Sequence, residues 1–280
     1  MASRNYGLNI ERELFEQDGS EYRLGSVTSD LIQIPPEERL KYLPEGERQD
    51  IGSEKMDCAT RCFNNDLEVS LEWAIANKVL PLATENFLRR YYLNKTTGRI
   101  EIADRYTAIK SGTTAEGNSL KAPIQAIHEW GFVPKSMFPQ VESFDEYYDA
   151  SKITEEIEAI AKESKERLPV NYEKVLFKEF EEVLKKDMLS TGLFAWTEPS
   201  DGYYPAVQGN SPNHAVLIVK PKWFVFDNYF DGDFIKQLSP SYELLGYGYR
   251  VIINQKPPVI KKKNWLEELL RNLLDFILFR

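Results

Sequence analysis

From Cys58 onward the apolar positions Cys62, Leu67, Leu71 and Ile75 recur at near-helical spacing, with Glu68 and Glu72 between them, which predicts a helix over 58–77. The same period predicts helices over 84–94 and over 119–130, the latter stopping at Gly131. It also predicts two charged, amphipathic helices over 153–168 and 172–189, separated by Pro169. Further along, the pattern changes to short apolar runs bounded by Gly, Pro and Asn. The segments 192–197, 215–220, 223–227 and 247–254 read as strands. Helices first and strands second define an α+β class. Between the helical segments, 111–118 is rich in Gly, Ser and Thr and reads as a loop. The first 55 residues carry repeated turn signals at Pro35-Pro36, Pro44-Glu45-Gly46 and Gly52-Ser53. They are expected to form an extended arm that wraps the body with little regular structure.

The pattern divides the chain into an arm (1–48), a main domain (49–255), a Lys- and Pro-rich linker (256–263) and a C-terminal amphipathic segment (264–280). In the last segment Trp265, Leu266, Leu269, Leu270, Leu273, Leu274 and Ile277 form one stripe. A stripe this wide needs burial: on its own domain, against a protein partner, or in a membrane interface beside the lysines of the linker. No run is long and apolar enough to span a bilayer. The N-terminus lacks an apolar signal core, so a cytoplasmic location is the default expectation.

With 35 basic and 44 acidic residues the formal net charge is −9, which argues against nucleic-acid binding through phosphate contacts. The 42% hydrophobic fraction suits an ordinary globular core. Two histidines and two cysteines leave no basis for a His- or Cys-built metal site. Acidic oxygen sites for calcium or magnesium stay open, with no EF-hand loop or phosphate-cradling Gly loop, and nucleophilic chemistry by side chains needs no cofactor. Cys58 and Cys62 lie one helical turn apart, a spacing that disfavours a bridge.

What remains is nucleophilic chemistry. Cys58 opens the first long helix, where the helix dipole favours a thiolate. His214 lies in Asn213-His214-Ala215-Val216, a polar turn opening into a strand, where a base can be held at a cleft. Cys62 reads as a packing residue, and His128 as a surface or half-buried helix residue.

These features resemble the papain family of cysteine peptidases. The nucleophilic Cys opens a long helix, and a distant Asn-His-Ala-Val is followed by Trp223-Phe224-Val225-Phe226-Asp227-Asn228, with Asn228 14 residues after His214. Gly246-Tyr247-Gly248-Tyr249-Arg250-Val251 looks like the family's closing strand. Glu68 matches a glutamate of the family's Cys helix, and Gly131-Phe132-Val133-Pro134 with Phe138-Pro139 resembles its Gly…Tyr-Pro landmark. The resemblance implies a papain-like two-lobed α+β fold. Its helical N-terminal lobe would carry the Cys helix, and its β-rich C-terminal lobe the His and Asn. It implies hydrolysis of polypeptide substrates, with Cys58 as nucleophile, His214 as base and Asn228 orienting the imidazole. Gln49 would donate to the oxyanion together with the Cys58 amide.

The sequence departs from the family in places. Gln49 stands further from Cys58 than is usual, Ala59 replaces a Trp, and Phe230 stands near the place of another Trp. Gly112 is taken as the residue beside the substrate backbone, with Gly117-Asn118 as the other candidate, and Asn213 as a second substrate-binding position. No inhibitory segment of the family's usual length fits before Cys58, so the arm is expected at most to inhibit in part. Read without the resemblance, Asn228 also fits a turn, and Asp227 is an alternative partner for His214; strand alternation allows only one of the two. Two other functions stay open: a papain-fold amidase acting on cell-wall peptides, and a catalytically silent structural protein that works through its C-terminal segment.

Overall fold

The computed structural model describes residues 6–16, 32–45, 48–196, 198–205, 211–229 and 233–253. The predicted linker, the C-terminal stripe and Phe230 lie outside the described residues. In chain order the α-helices are α1 (Ile10–Phe15), α2 (Pro36–Arg39), α3 (Cys58–Ala76), α4 (Leu82–Tyr91), α5 (Asp104–Lys110), α6 (Lys121–Trp130), α7 (Phe144–Tyr147), α8 (Glu155–Arg167) and α9 (Phe180–Leu184). The strands are β1 (Val170–Leu176), β2 (Leu189–Leu193), β3 (His214–Lys220), β4 (Phe224–Phe226), β5 (Ile235–Gln237) and β6 (Leu244–Ile253). They form one antiparallel sheet of order β1-β6-β2-β3-β4-β5.

The helix–sheet junction is a period-2 consequence of β3. Ala215, Leu217 and Val219 join the core cluster that contains Cys58, Cys62, Leu67 and Leu71 of α3, whereas Val216 and Ile218 join the cluster of Phe180 and Val183. Both faces of β3 are therefore buried, and so is its run of β-branched and aliphatic residues. On the other side of the sheet's register, β1 is fixed along its whole length against β6, from Val170 opposite Ile253 to Leu176 opposite Tyr247.

α3 is buried nearly all round over its first 14 residues, polar groups included. Those groups serve the chain around the helix. Glu68 accepts the Ile102 amide at 2.6 Å, Glu72 accepts the Ile100 amide at 2.9 Å, and Asn64 donates to Asp104 at 2.8 Å. Gly131 ends α6 with φ +81°, and a Cβ there would stand 2.1 Å from the Ala161 carbonyl oxygen, so only glycine fits.

Two expectations change. The segment 172–189 is not a helix; it divides into β1, a 3₁₀ turn, the short α9 and the start of β2. The arm carries regular structure, in α1 with its Asn9 cap and in α2. The helices expected over 58–77, 84–94, 119–130 and 153–168 are present with ends shifted by a few residues, and β5 was not anticipated.

Candidate active site

The first turn of α3 and the first residue of β3 meet. The Ala215 amide donates to Cys58 Sγ at 3.4 Å, so the thiol lies against the strand immediately after His214. Cys58 and His214 are both fully buried. Nε2 of His214 lies 2.6 Å from Asp227 Oδ1, while Nδ1 is buried without a hydrogen-bond partner. The second oxygen of Asp227 forms an ion pair with Lys236 Nζ at 2.9 Å. His214 and Lys236 together hold the Asp227 carboxyl below its usual range, against a burial effect that pushes it up. Tyr6, Trp196 and Tyr229 pack around the imidazole with ring centroids 5.3–5.8 Å away.

The imidazole's partner is therefore Asp227. The Asn228 backbone N–H donates to Asp227 Oδ1 at 2.7 Å, and its side-chain oxygen accepts from Asn65 Nδ2 at 3.5 Å. The alternation argument did not decide between the neighbours because β4 ends at Phe226, and both residues lie on the turn beyond it.

Gln49 is brought to the site although its spacing is unusual. Its amide nitrogen donates to Tyr229 Oη (2.7 Å), to Glu54 (2.6 Å) and to the Tyr6 carbonyl (3.3 Å). The helix entry at Asp57 is locked separately. Its carboxylate accepts Tyr147 Oη at 2.5 Å and Arg61 Nε at 2.9 Å, and Arg61 also pairs with Asp104. Burial pushes the Cys58 thiol well up, and the Asp57 and Glu54 charges act the same way; the Ala215 amide opposes them.

The arm packs against this site. The Tyr6 and Leu8 amides both donate to the Asn213 carbonyl at 3.3 Å. The Asn118 amide donates to the Gly7 carbonyl, and the Asn9 amide to the Asn118 carbonyl. Gly7 passes with φ +104° between Met56 and Gly117. A Cβ on Gly7 would stand 2.7 Å from Met56 backbone carbon, and one on Gly117 would stand 2.1 Å from the Gly7 oxygen. Leu8 is 3% exposed and lies on Gly192, where an added Cβ would meet its Cδ2 at 2.7 Å. Glu13 of α1 anchors the arm by accepting the Leu120 and Lys121 amides and Tyr247 Oη.

Asn213, expected to bind substrate, meets the chain's own arm. Gly112 meets a side chain of the arm instead: it is exposed, and its carbonyl accepts Nη1 of Arg12, on α1, at 2.7 Å. The backbone position beside the bound segment is Asn118, at the far end of the same loop. Loop length alone could not tell the two apart. Cys62 is a core residue, and His128 is half-buried with Nδ1 2.7 Å from the Val170 carbonyl. Among the described residues no cluster of three His, Cys, Asp or Glu side chains is placed to hold a metal. Sequence reasoning missed Lys236. Its one signal was a lysine in the short run Phe234-Ile235-Lys236 downstream of Asp227.

No family model and no curated protein sequence matches the chain. Solved structures do match. The proform of the ragweed pollen allergen Amb a 11, a cysteine protease, aligns over 91% of this chain and 77% of its own at TM-score 0.52 and 12% identity. A structure from work on the mite allergens Blo t 1 and Der p 1 aligns over 89% and 78% at TM-score 0.51 and 10% identity. Xylellain, a cysteine protease from Xylella fastidiosa, aligns over 92% and 100% at TM-score 0.48 and 12% identity. The chain has a divergent papain-like fold, α+β, with a helical part carrying α3 and an antiparallel sheet. At these identities the likeness is one of fold.

Proposed function

We propose that the protein is a cysteine peptidase in which Cys58 is the nucleophile, His214 the base and Asp227 the group that orients the imidazole. The observation that carries this reading is the division of labour on His214. Nε2 is taken by Asp227, and Nδ1 has no partner, on a strand whose next amide touches Cys58 Sγ.

In the reaction the Cys58 thiol gives its proton to His214 Nδ1, and the thiolate attacks the peptide carbonyl carbon. The imidazolium then returns the proton to the leaving amine, which breaks the C–N bond and leaves a thioester. Water, deprotonated by the same imidazole, hydrolyses the thioester and restores the thiol. Asp227 stays ionised throughout and fixes the ring and its tautomer. Gln49, whose amide already donates to a carbonyl of the bound arm, is the candidate donor to the oxyanion.

The conformation described is a closed one. The arm occupies the groove, and burial disfavours the thiolate. Activity then requires the arm to lift. The test is labelling of Cys58 with low-dose iodoacetamide from about pH 4 to 9, read by mass spectrometry, alongside hydrolysis of an unfolded polypeptide. Reactivity of Cys58 that persists below neutrality and is lost in His214→Ala supports the reading. Labelling that follows an ordinary thiol in both proteins overturns it.

A further inference from the structure

We propose that Lys236 is a positioning residue of this site: its ammonium balances Asp227, so that the thiolate of Cys58 is left as the counter-charge to the His214 imidazolium. The inference rests on the Cys58–His214 reading above.

The geometry is specific. Lys236 is fully buried on β5, a three-residue edge strand. Its Nζ donates to the Tyr229 carbonyl at 2.7 Å and to the Asp233 carbonyl at 3.1 Å, and pairs with Asp227 Oδ2 at 2.9 Å. It lies over the Trp196 ring at 5.2 Å and the Tyr204 ring at 5.8 Å. A buried lysine gripped on several sides is costly unless its charge is used. Its aliphatic stem fills space that a methionine could fill.

Charge counting shows the use. Without Lys236, a buried Asp227 carboxylate is neutralised by an imidazolium directly, and Cys58 is free to stay a thiol. With Lys236, Asp227 is already neutralised. Protonating His214 then adds an uncompensated buried charge unless Cys58 gives up its proton. The lysine thus couples imidazolium formation to thiolate formation, which is the state a cysteine nucleophile needs.

Among the described residues, the titratable groups that face the Asp227–His214–Lys236 cluster include Cys58 from α3, Tyr6 from the arm, Tyr229 after β4, Tyr204, and Tyr242 before β6, with Glu54 beside Gln49. Asp233 reaches Lys236 through its carbonyl, while its carboxylate accepts the Ile235 amide. Of these described groups, Lys236 alone is a cation.

The experiment is NMR titration of histidine-labelled full-length protein. The chain has two histidines, so His128 serves as the internal control. In Lys236→Met, and in Lys236→Gln should the first variant not fold, the midpoint of the His214 imidazole signal is expected to rise by about one pH unit while His128 stays fixed. At pH 6 the Cys58 labelling rate should fall about tenfold relative to the parent protein. Lys236→Arg should hold both readouts near the parent values. A folded neutral variant with an unmoved His214 midpoint overturns the proposal, as does an arginine variant that moves as far as the neutral ones, since packing would then be the cause. Failure of the peptidase reading shows elsewhere, as Cys58 labelling insensitive to His214→Ala in the parent protein.

Discussion

If the arm is the gate, weakening its hold on the cleft should expose Cys58 without unfolding the domain. Leu8 is the point to press. It is 3% exposed, lies so close to Gly192 that a Cβ there would meet its Cδ2 at 2.7 Å, and belongs to the same core cluster as Cys58. Truncating a buried leucine to alanine costs about 2–5 kcal/mol. Here that cost falls on the docked arm alone, because the lifted arm exposes residue 8 to water in either variant. At one decade for each 1.4 kcal/mol, the population of the lifted state rises by about 30-fold or more. Iodoacetamide labelling reads that population when lifting and closing are fast relative to the chemistry. Cys62 is the built-in control, since it is 1% exposed, sits one turn further along α3 and packs in the core. Leu8→Ala should therefore accelerate Cys58 labelling about 30-fold or more and leave Cys62 unchanged. An unchanged Cys58 rate would refute the gating argument. A parallel rise at Cys62 would refute it too, because the route to Cys58 would then be global unfolding.

Four further expectations follow from named contacts. Asp227→Ala should lower polypeptide hydrolysis by about 10²–10⁴-fold, and Asn228→Ala by no more than about tenfold, measured as kcat/KM; the reverse order would return the orienting role to Asn228. Burial raises the Glu13 carboxyl above its ordinary value, so the docked arm binds protons more readily than the lifted one. Glu13 therefore favours docking once it is protonated and opposes it as pH rises through the raised value. Glu13→Gln should flatten the increase in Cys58 accessibility towards neutral pH, as hydrogen exchange in α1 would show. Gly7→Ala should loosen the arm as Leu8→Ala does, because its φ of +104° and the 2.7 Å approach to Met56 leave no place for a methyl group; Cys58 labelling again reads it. Arg250 donates twice to the buried Glu173, at 2.9 and 2.6 Å, and Arg250→Met should cost about 3–5 kcal/mol in urea unfolding by removing both guanidinium bonds from that buried carboxylate.

The parts of the fold legible in the sequence were those set by local signals. The apolar period from Cys58 marked α3, Gly131 marked the end of α6, and the run from Ala215 to Lys220 marked β3. The segment 172–189 misled because Glu, Lys and Leu favour a helix locally. What makes 170–176 a strand is pairing with β6, more than 70 residues away in the chain, and that partner outweighs propensity. β5 was invisible for the same reason, being three residues held by β4. At the site, the meeting of the start of α3 with the start of β3 was readable from Cys58 and His214, but the support of the imidazole was not. Whether Asp227 or Asn228 meets the imidazole depends on where β4 ends. Whether Gly112 or Asn118 lies beside the bound segment depends on the path of a loop. That the arm lies across Asn213 and Asn118 follows from backbone pairing with them, and those two residues carry no signal for it.

The closed site raises a question of electrostatics as well as of access. A thiolate–imidazolium pair under the arm would be two charges created in a dry pocket, and burial already pushes the Cys58 thiol up. Lifting the arm admits water and removes that cost, so the arm suppresses the nucleophile twice, by covering it and by keeping it protonated. The two effects separate in the pH dependence of labelling. If alkylation passes only through the lifted state, the parent protein and Leu8→Ala share one midpoint, that of the hydrated pair, and differ only in plateau rate. If reagent reached Cys58 beneath a docked arm, the parent midpoint would lie higher than that of Leu8→Ala, because part of its labelling would come from a thiol still held up by burial. Coincident midpoints with plateaus about 30-fold or more apart are the result that a purely gated nucleophile requires.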